Sequence, residues 1–251
     1  MFNITNKKVH SIVNPVKIYW GVQKLSDSWN EIPELLEDCQ SLLIGSSNAV
    51  AEASKALTHL HVVKAHPTEN WDLHQALLEG KSCACTYQTF RSMSYEVSKL
   101  ISKLGVNCCI VDGLGLSLDA EEELEEVPSC CSVASLNRYL SPGSKQVLEA
   151  IGALEVDRAS GLASWNIDEV LAPIGAGILE DVYTWSMNGS LHWYPTDTEP
   201  SKFVLTALPV RLLHLFKSVS ILSLDFNGPE IEKRLDSLRV PYKYDNRVMV
   251  S

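Results

Sequence analysis

The side chains best placed for chemistry are hydroxyls and carboxylates that follow short apolar runs. They are Ser46 and Ser47 at the end of the run Ser41–Ser46, Asp112 after Cys108–Val111, and Thr206 near the end of Phe203–Ala207. At the carboxyl ends of parallel strands, where open α/β sheets bind ligands, such groups could hold a small molecule by hydrogen bonds and move a proton. No nucleophile–base pair can be assigned among them. A second candidate is Gly21-Val22-Gln23-Lys24-Leu25-Ser26-Asp27-Ser28, which has the first Gly and the final Ser of the phosphate-cradling pattern G-x-x-x-x-G-K-[ST]. Ser26 stands where the second Gly lets the backbone close on phosphate, and Asp27 stands where Lys neutralises it. A carboxylate there repels phosphate, and Pro33 interrupts the helix whose N-terminus would face the anion. As a nucleotide site this segment reads as disabled, and no cofactor is expected.

Other chemistries find less support. Cys83-Ala-Cys85, Cys108-Cys109 and Cys130-Cys131 lack the C-x-x-C spacing of a zinc site. Cys83, Cys85, Cys108 and Cys109 lie in apolar runs where a reduced thiol packs as a small hydrophobe, so no metal is expected. No G-x-S-x-G or H-E-x-x-H motif occurs, and Gly113-Leu114-Gly115 is followed by Leu116-Ser117-Leu118, an incomplete dinucleotide fingerprint. His59, His61 and His66 surround one apolar run, His192 adjoins Trp193-Tyr194, and His214 lies in an apolar helical stretch. Histidines in such settings are expected to be hydrogen-bonded structure. Trp185, Trp193 and Tyr194 lack interleaved Lys or Arg, which favours packing or a protein interface over base stacking.

These residues depend on elements that the spacing of apolar positions predicts. Strands are expected at Val16–Val22, Ser41–Ser46, Leu60–Ala65, Ser82–Tyr87, Cys108–Val111, Phe203–Ala207 and Val219–Leu224. Helical stripes fall at Ala49, Val50, Ala53, Ala56, Leu57 and Leu60, and at Val97, Leu100, Ile101 and Leu104 with Gly105 as a stop. The alternation predicts an α/β fold, a mostly parallel doubly wound sheet flanked by helices. It breaks over 119–200, where a helical insertion within a single domain spanning 1–251 is expected. One helix there is drawn through Val147, Leu148, Ile151 and Leu154; a second runs from Ile167 to Val182, interrupted near Pro173.

The chain has 251 residues, 45% of them hydrophobic and 21% charged, which suits a packed globular protein. Its net charge of -10 is the wrong sign for a protein that coats nucleic acid or an anionic membrane. The acidity is partly local: six of the 31 Asp and Glu residues lie in one run, Asp119 to Glu126, read as a solvated surface feature. No apolar stretch is long enough to span a membrane and no secretory signal is visible, so a cytoplasmic protein with no membrane contact is expected.

In serial order, LLIGSSNAVAEASKAL at 42–57, GKSCACTYQTF at 80–90, CCIVDGLG at 108–115 and FVLTALP at 203–209 resemble the first RecA-like domain of superfamily 2 helicases. The resemblance covers roughly residues 16–226 and implies a RecA-like sheet. It also implies that Gly21–Ser28, Asp112 and Thr206 converge on one crevice. In that family the Asp after the buried strand positions magnesium and the next residue, a Glu, activates water; here Gly113 follows Asp112. The family's second hydroxyl after Thr206-Ala207 is replaced by Leu208. The resemblance further implies strand contacts at Ser46, Asn48, Thr86 and Gln88, with Lys81 and Arg91 nearby. The expected function is a catalytically inactive helicase-like domain, too short for the second RecA-like domain of a working helicase. It would act as a protein-interaction or structural subunit, with a non-hydrolysing nucleic-acid binder or a small-molecule α/β enzyme as alternatives.

Overall fold

The computed structural model describes residues 15–19, 40–63, 69–112, 133–136, 142–166, 178–194, 202–223 and 228–244. Seven strands form one sheet in the order β12-β1-β11-β5-β2-β4-β3, every neighbouring pair parallel. They are β1 (Val16–Tyr19), β2 (Ser41–Gly45), β3 (His61–Val62), β4 (Cys83–Thr86), β5 (Asn107–Asp112), β11 (Ser218–Ser223) and β12 (Tyr242–Tyr244). The central strands are near-continuous apolar runs because both faces are covered. In β2, Leu42 and Ile44 enter one core while Leu43 enters the other; in β5, Cys108 and Ile110 divide from Cys109 and Val111 in the same way.

Helix α1 (Ser47–Ala56) packs Ala49, Val50 and Ala53 on the Leu43 face. The opposite face takes α2 (Glu69–Leu78), α3 (Tyr87–Arg91), α4 (Tyr95–Leu104) and α8 (Gly228–Ser237). Local signals set α4 well. The Ser94 hydroxyl accepts from the Val97 N–H, Val97, Leu100 and Ile101 form its buried stripe, and Gly105 closes it with φ 67°, a conformation open to glycine at little cost.

Residues 133–206 build something other than a helical insertion. Their described parts hold α5 (Pro142–Ala150) and α6 (Ile178–Asn188), but also β6 (Val133–Ser135), β7 (Leu154–Val156), β8 (Ala163–Trp165), β9 (Leu191–Tyr194) and β10 (Lys202–Thr206). β7 and β8 form a hairpin, and β6-β10-β9 form a separate antiparallel sheet with its own core of Leu136, Leu154, Trp165, Val182, Trp185, Leu191, Phe203 and Leu205. The expected strand at Phe203–Ala207 is therefore present, yet it is no part of the parallel sheet. Both of its edges are taken by antiparallel partners, β6 and β9, so none is left for β5. Leu154, expected on a helix, lies in β7. Gly21–Ser28, the acidic run and most of the expected interruption near Pro173 lie outside the described residues.

A short helix, α7 (Val210–Leu213), links β10 to β11. It returns the chain to the parallel sheet between β1 and β5.

Candidate functional site

From β2 the chain moves outward toward β3, whereas from β5 it moves the other way to β11. The carboxyl ends of β2 and β5 thus flank a point where winding reverses, the place where open parallel sheets leave a crevice. Gly45 and Ser46 lie on one side of it, Val111 and Asp112 on the other. A Cβ at Gly45 would stand 3.0 Å from the Ala49 Cβ and 3.5 Å from the Val111 carbonyl oxygen, so this glycine lets α1 start close against β5.

Each expected site residue among the described residues has a definite place. Ser46 is the N-cap of α1, its hydroxyl accepting from the Ala49 N–H at 3.2 Å. Thr86 caps α3 in the same way, accepting from the Thr89 N–H at 3.3 Å. Gly45 and Thr86 are register partners, so the segments carrying Asn48 and Gln88, both exposed, start side by side. Asp112 ends β5 and is only 2% exposed; its register partner is Ser223, also buried, at the end of β11. Burial of a carboxylate costs free energy unless it is hydrogen-bonded, which marks this strand end as specified rather than incidental.

Three expectations are corrected. Thr206 does not reach this edge: it sits in the antiparallel sheet, its hydroxyl donating to the Leu208 carbonyl at 3.1 Å. Ser223 holds the strand-end place next to Asp112 that Thr206 was expected to hold. Lys81 precedes β4 and so lies at the opposite, amino edge, paired with Glu79 at 2.7 Å. Arg91 is 1% exposed, and burial lowers its guanidinium to about 10, with Asp181 pulling the other way. Its backbone carbonyl accepts from Asn188 Nδ2 at 2.9 Å, so α3 is fastened to α6 at its end. Gly113 and the Gly21–Ser28 segment lie outside the described residues.

The edge therefore offers hydroxyls, amides and one buried carboxylate. Its described strand-end residues include no cation to neutralise phosphate and no histidine to serve as a base. The His61 Nε2–Asp72 Oδ1 pair, 2.9 Å apart, belongs to β3 and α2 on the far side of the sheet and is partly exposed. Among the described residues no group of three or more His, Cys, Asp or Glu could hold a metal ion, and no helix is long and apolar enough to cross a membrane. The Cys83 and Cys109 thiols are pushed up to about 12 by burial, and Cys108 goes well above its ordinary value for the same reason.

No protein-family model, curated protein or solved structure matches this chain.

Proposed function

We propose that this chain is a helicase-like domain that has lost nucleotide chemistry and works as a protein-interaction subunit. The observation that carries the reading is the placement of β1 and β5 one strand apart, about 10 Å, with their carboxyl ends on the same edge. The residues that follow those two strands in sequence are the ones at which phosphate chemistry fails: Ser26 and Asp27 after β1, Gly113 after β5. Calorimetry with magnesium and ATP tests it. Binding no tighter than millimolar is expected; micromolar binding overturns it.

The interaction half of the reading draws on the outer surface of α2 and α4. Trp71 is 69% exposed and Tyr95 is 75% exposed. They begin adjacent helices that are tied together by Asn70, whose Oδ1 accepts from the Ser94 N–H at 2.9 Å and whose Nδ2 donates to the Ser92 carbonyl at 3.1 Å. Leu78, two turns further along α2 on the face of Trp71, is exposed as well. Large apolar side chains grouped on one side of a folded chain mark protein contacts more often than chance exposure does. Native pull-downs with the wild type and a Trp71→Ala/Tyr95→Ala variant should recover a partner with the first and lose it with the second. An unchanged set of recovered proteins removes this surface from consideration.

A nucleic-acid reading draws on the neighbouring exposed amides of Asn48 and Gln88. With Lys81 on the opposite edge and Arg91 buried, affinity and salt dependence should both be slight. Titrating labelled single strands at two salt concentrations separates this from true phosphate binding, which weakens steeply as salt rises.

A further inference from the structure

His192 sits where the antiparallel unit meets the parallel-sheet body. It lies on β9 opposite Val204 of β10, and Leu162, at the entry to β8, forms an isolated bridge to it while packing against the parallel-sheet core. From α7, Arg211 stands between core residues Val210 and Leu212. It crosses the seam to donate to the Ser186 carbonyl at 2.8 Å and to the Ser164 hydroxyl. From α8, Arg234 places a second positive charge within range of the ring. His192 is 3% exposed, and among the described residues its Nε2 has no hydrogen-bond partner; the neighbouring Ser190 hydroxyl is buried and has none among them either.

We infer that His192 is an acid-sensitive latch: docking of the antiparallel unit on the parallel sheet requires its neutral ring, and protonation loosens the seam. In the neutral ring a bare Nε2 is an acceptor without a donor, a small loss. Protonated, the ring carries a charge away from water, and the charges of Arg234 and Arg211 add to that cost, so the charged form is disfavoured. The Ser160 and Gly189 carbonyls favour the charged form, but burial, the largest influence, and Arg234 and Arg211 oppose it. The hairpin's carboxylates, Glu155 and Asp157, are both exposed, and Asp157 accepts from the Ala159 and Ser160 N–H groups of its own turn. On the β9 and β10 side, Ser190 and Val204 carry no charge.

Burial brings the ring down to about 4, against an ordinary value of about 6.5. The unfolded chain therefore binds a proton at His192 over a window in which the folded chain does not. The stability in question is fully present above about pH 6.5 and is lost as pH falls toward 4, with unfolding favoured by up to about tenfold per pH unit.

Urea unfolding of wild type and His192→Gln between pH 7.5 and 4.5 tests the latch. In a background with Trp20, Trp29 and Trp71 replaced by Phe, tryptophan emission reports on the unit that holds Trp165, Trp185 and Trp193, and far-ultraviolet dichroism reports on the whole chain. The variant should lose up to tenfold per pH unit of the wild type's acid sensitivity; equal slopes overturn the inference. Because the variant can fail to fold, ring resonances of the wild-type histidines supply a second measurement. One ring should stay neutral to pH 5 and titrate together with a red shift in emission. Titration of every ring near 6.5 with unchanged emission also overturns it.

Discussion

The Tyr87 hydroxyl donates to the Val111 carbonyl at 3.0 Å, reaching across β2 to the residue before Asp112. This buried bond fixes the start of α3 against the end of β5, and with it the spacing of the two strand ends that flank the crevice. Tyr87→Phe keeps the ring and removes the donor, so a loss of about 1 kcal/mol is expected in urea unfolding. A neutral result would show that the Val111 carbonyl does not depend on this donor.

Asn188 performs the matching task at the seam. Its Nδ2 donates to the Arg91 and Met93 carbonyls, both at 2.9 Å, while Trp185 Nε1 donates to the Ser92 hydroxyl at 3.3 Å. Asn188→Ala leaves two backbone acceptors unserved in a buried place, and about 2 kcal/mol of destabilisation is expected. Hydrogen exchange should rise in α3 and α6 before it rises in β5.

Gly161 has φ 72°, and a Cβ on it would stand 2.5 Å from the Trp193 carbonyl oxygen. Its own carbonyl accepts from the Trp193 N–H at 2.7 Å, joining the hairpin to β9. Gly161→Ala combines left-handed strain with a backbone clash, so a cost above about 2 kcal/mol is expected, read as a lowered thermal midpoint.

Thiol labelling checks the core directly. With Cys83 and Cys109 raised to about 12 by burial, about one thiol in ten thousand is ionised at pH 8. Iodoacetamide at that pH should leave Cys83, Cys108 and Cys109 unmodified in the folded chain and label them in urea, as mass spectrometry of peptides would show. Fast labelling of the folded chain would contradict their placement.

Much of the parallel sheet was legible in advance. Ser94, the stripe Val97, Leu100 and Ile101, and Gly105 announce α4 because capping and helical period are local properties. β2, β4, β5 and β11 are dense in apolar residues because helices cover both faces, and the chain displays that density however the strands are ordered. The three-residue strands β6, β7, β8 and β12 escaped notice, since so few residues carry no usable period. Ser223 escaped as a site residue because nothing in its surroundings in sequence distinguishes it; only its register with Asp112 does.

Residue types alone show that Gly21–Ser28 departs from the phosphate-cradling pattern at Ser26 and Asp27, whatever fold surrounds them. They also settled where most long elements begin and end. The tertiary structure decided which strands are neighbours. Phe203–Ala207 reads as a strand of the parallel sheet, yet β10 there pairs antiparallel with β6 and β9, and β11 takes the place beside β5. An apolar run records only that both faces of a strand will be covered. The partner is chosen by hydrogen-bonding edges that can be far apart in sequence, as are Leu205 and Ala134. The same holds for His192, an ordinary histidine in the sequence, whose ring is buried only when separate cores close around it.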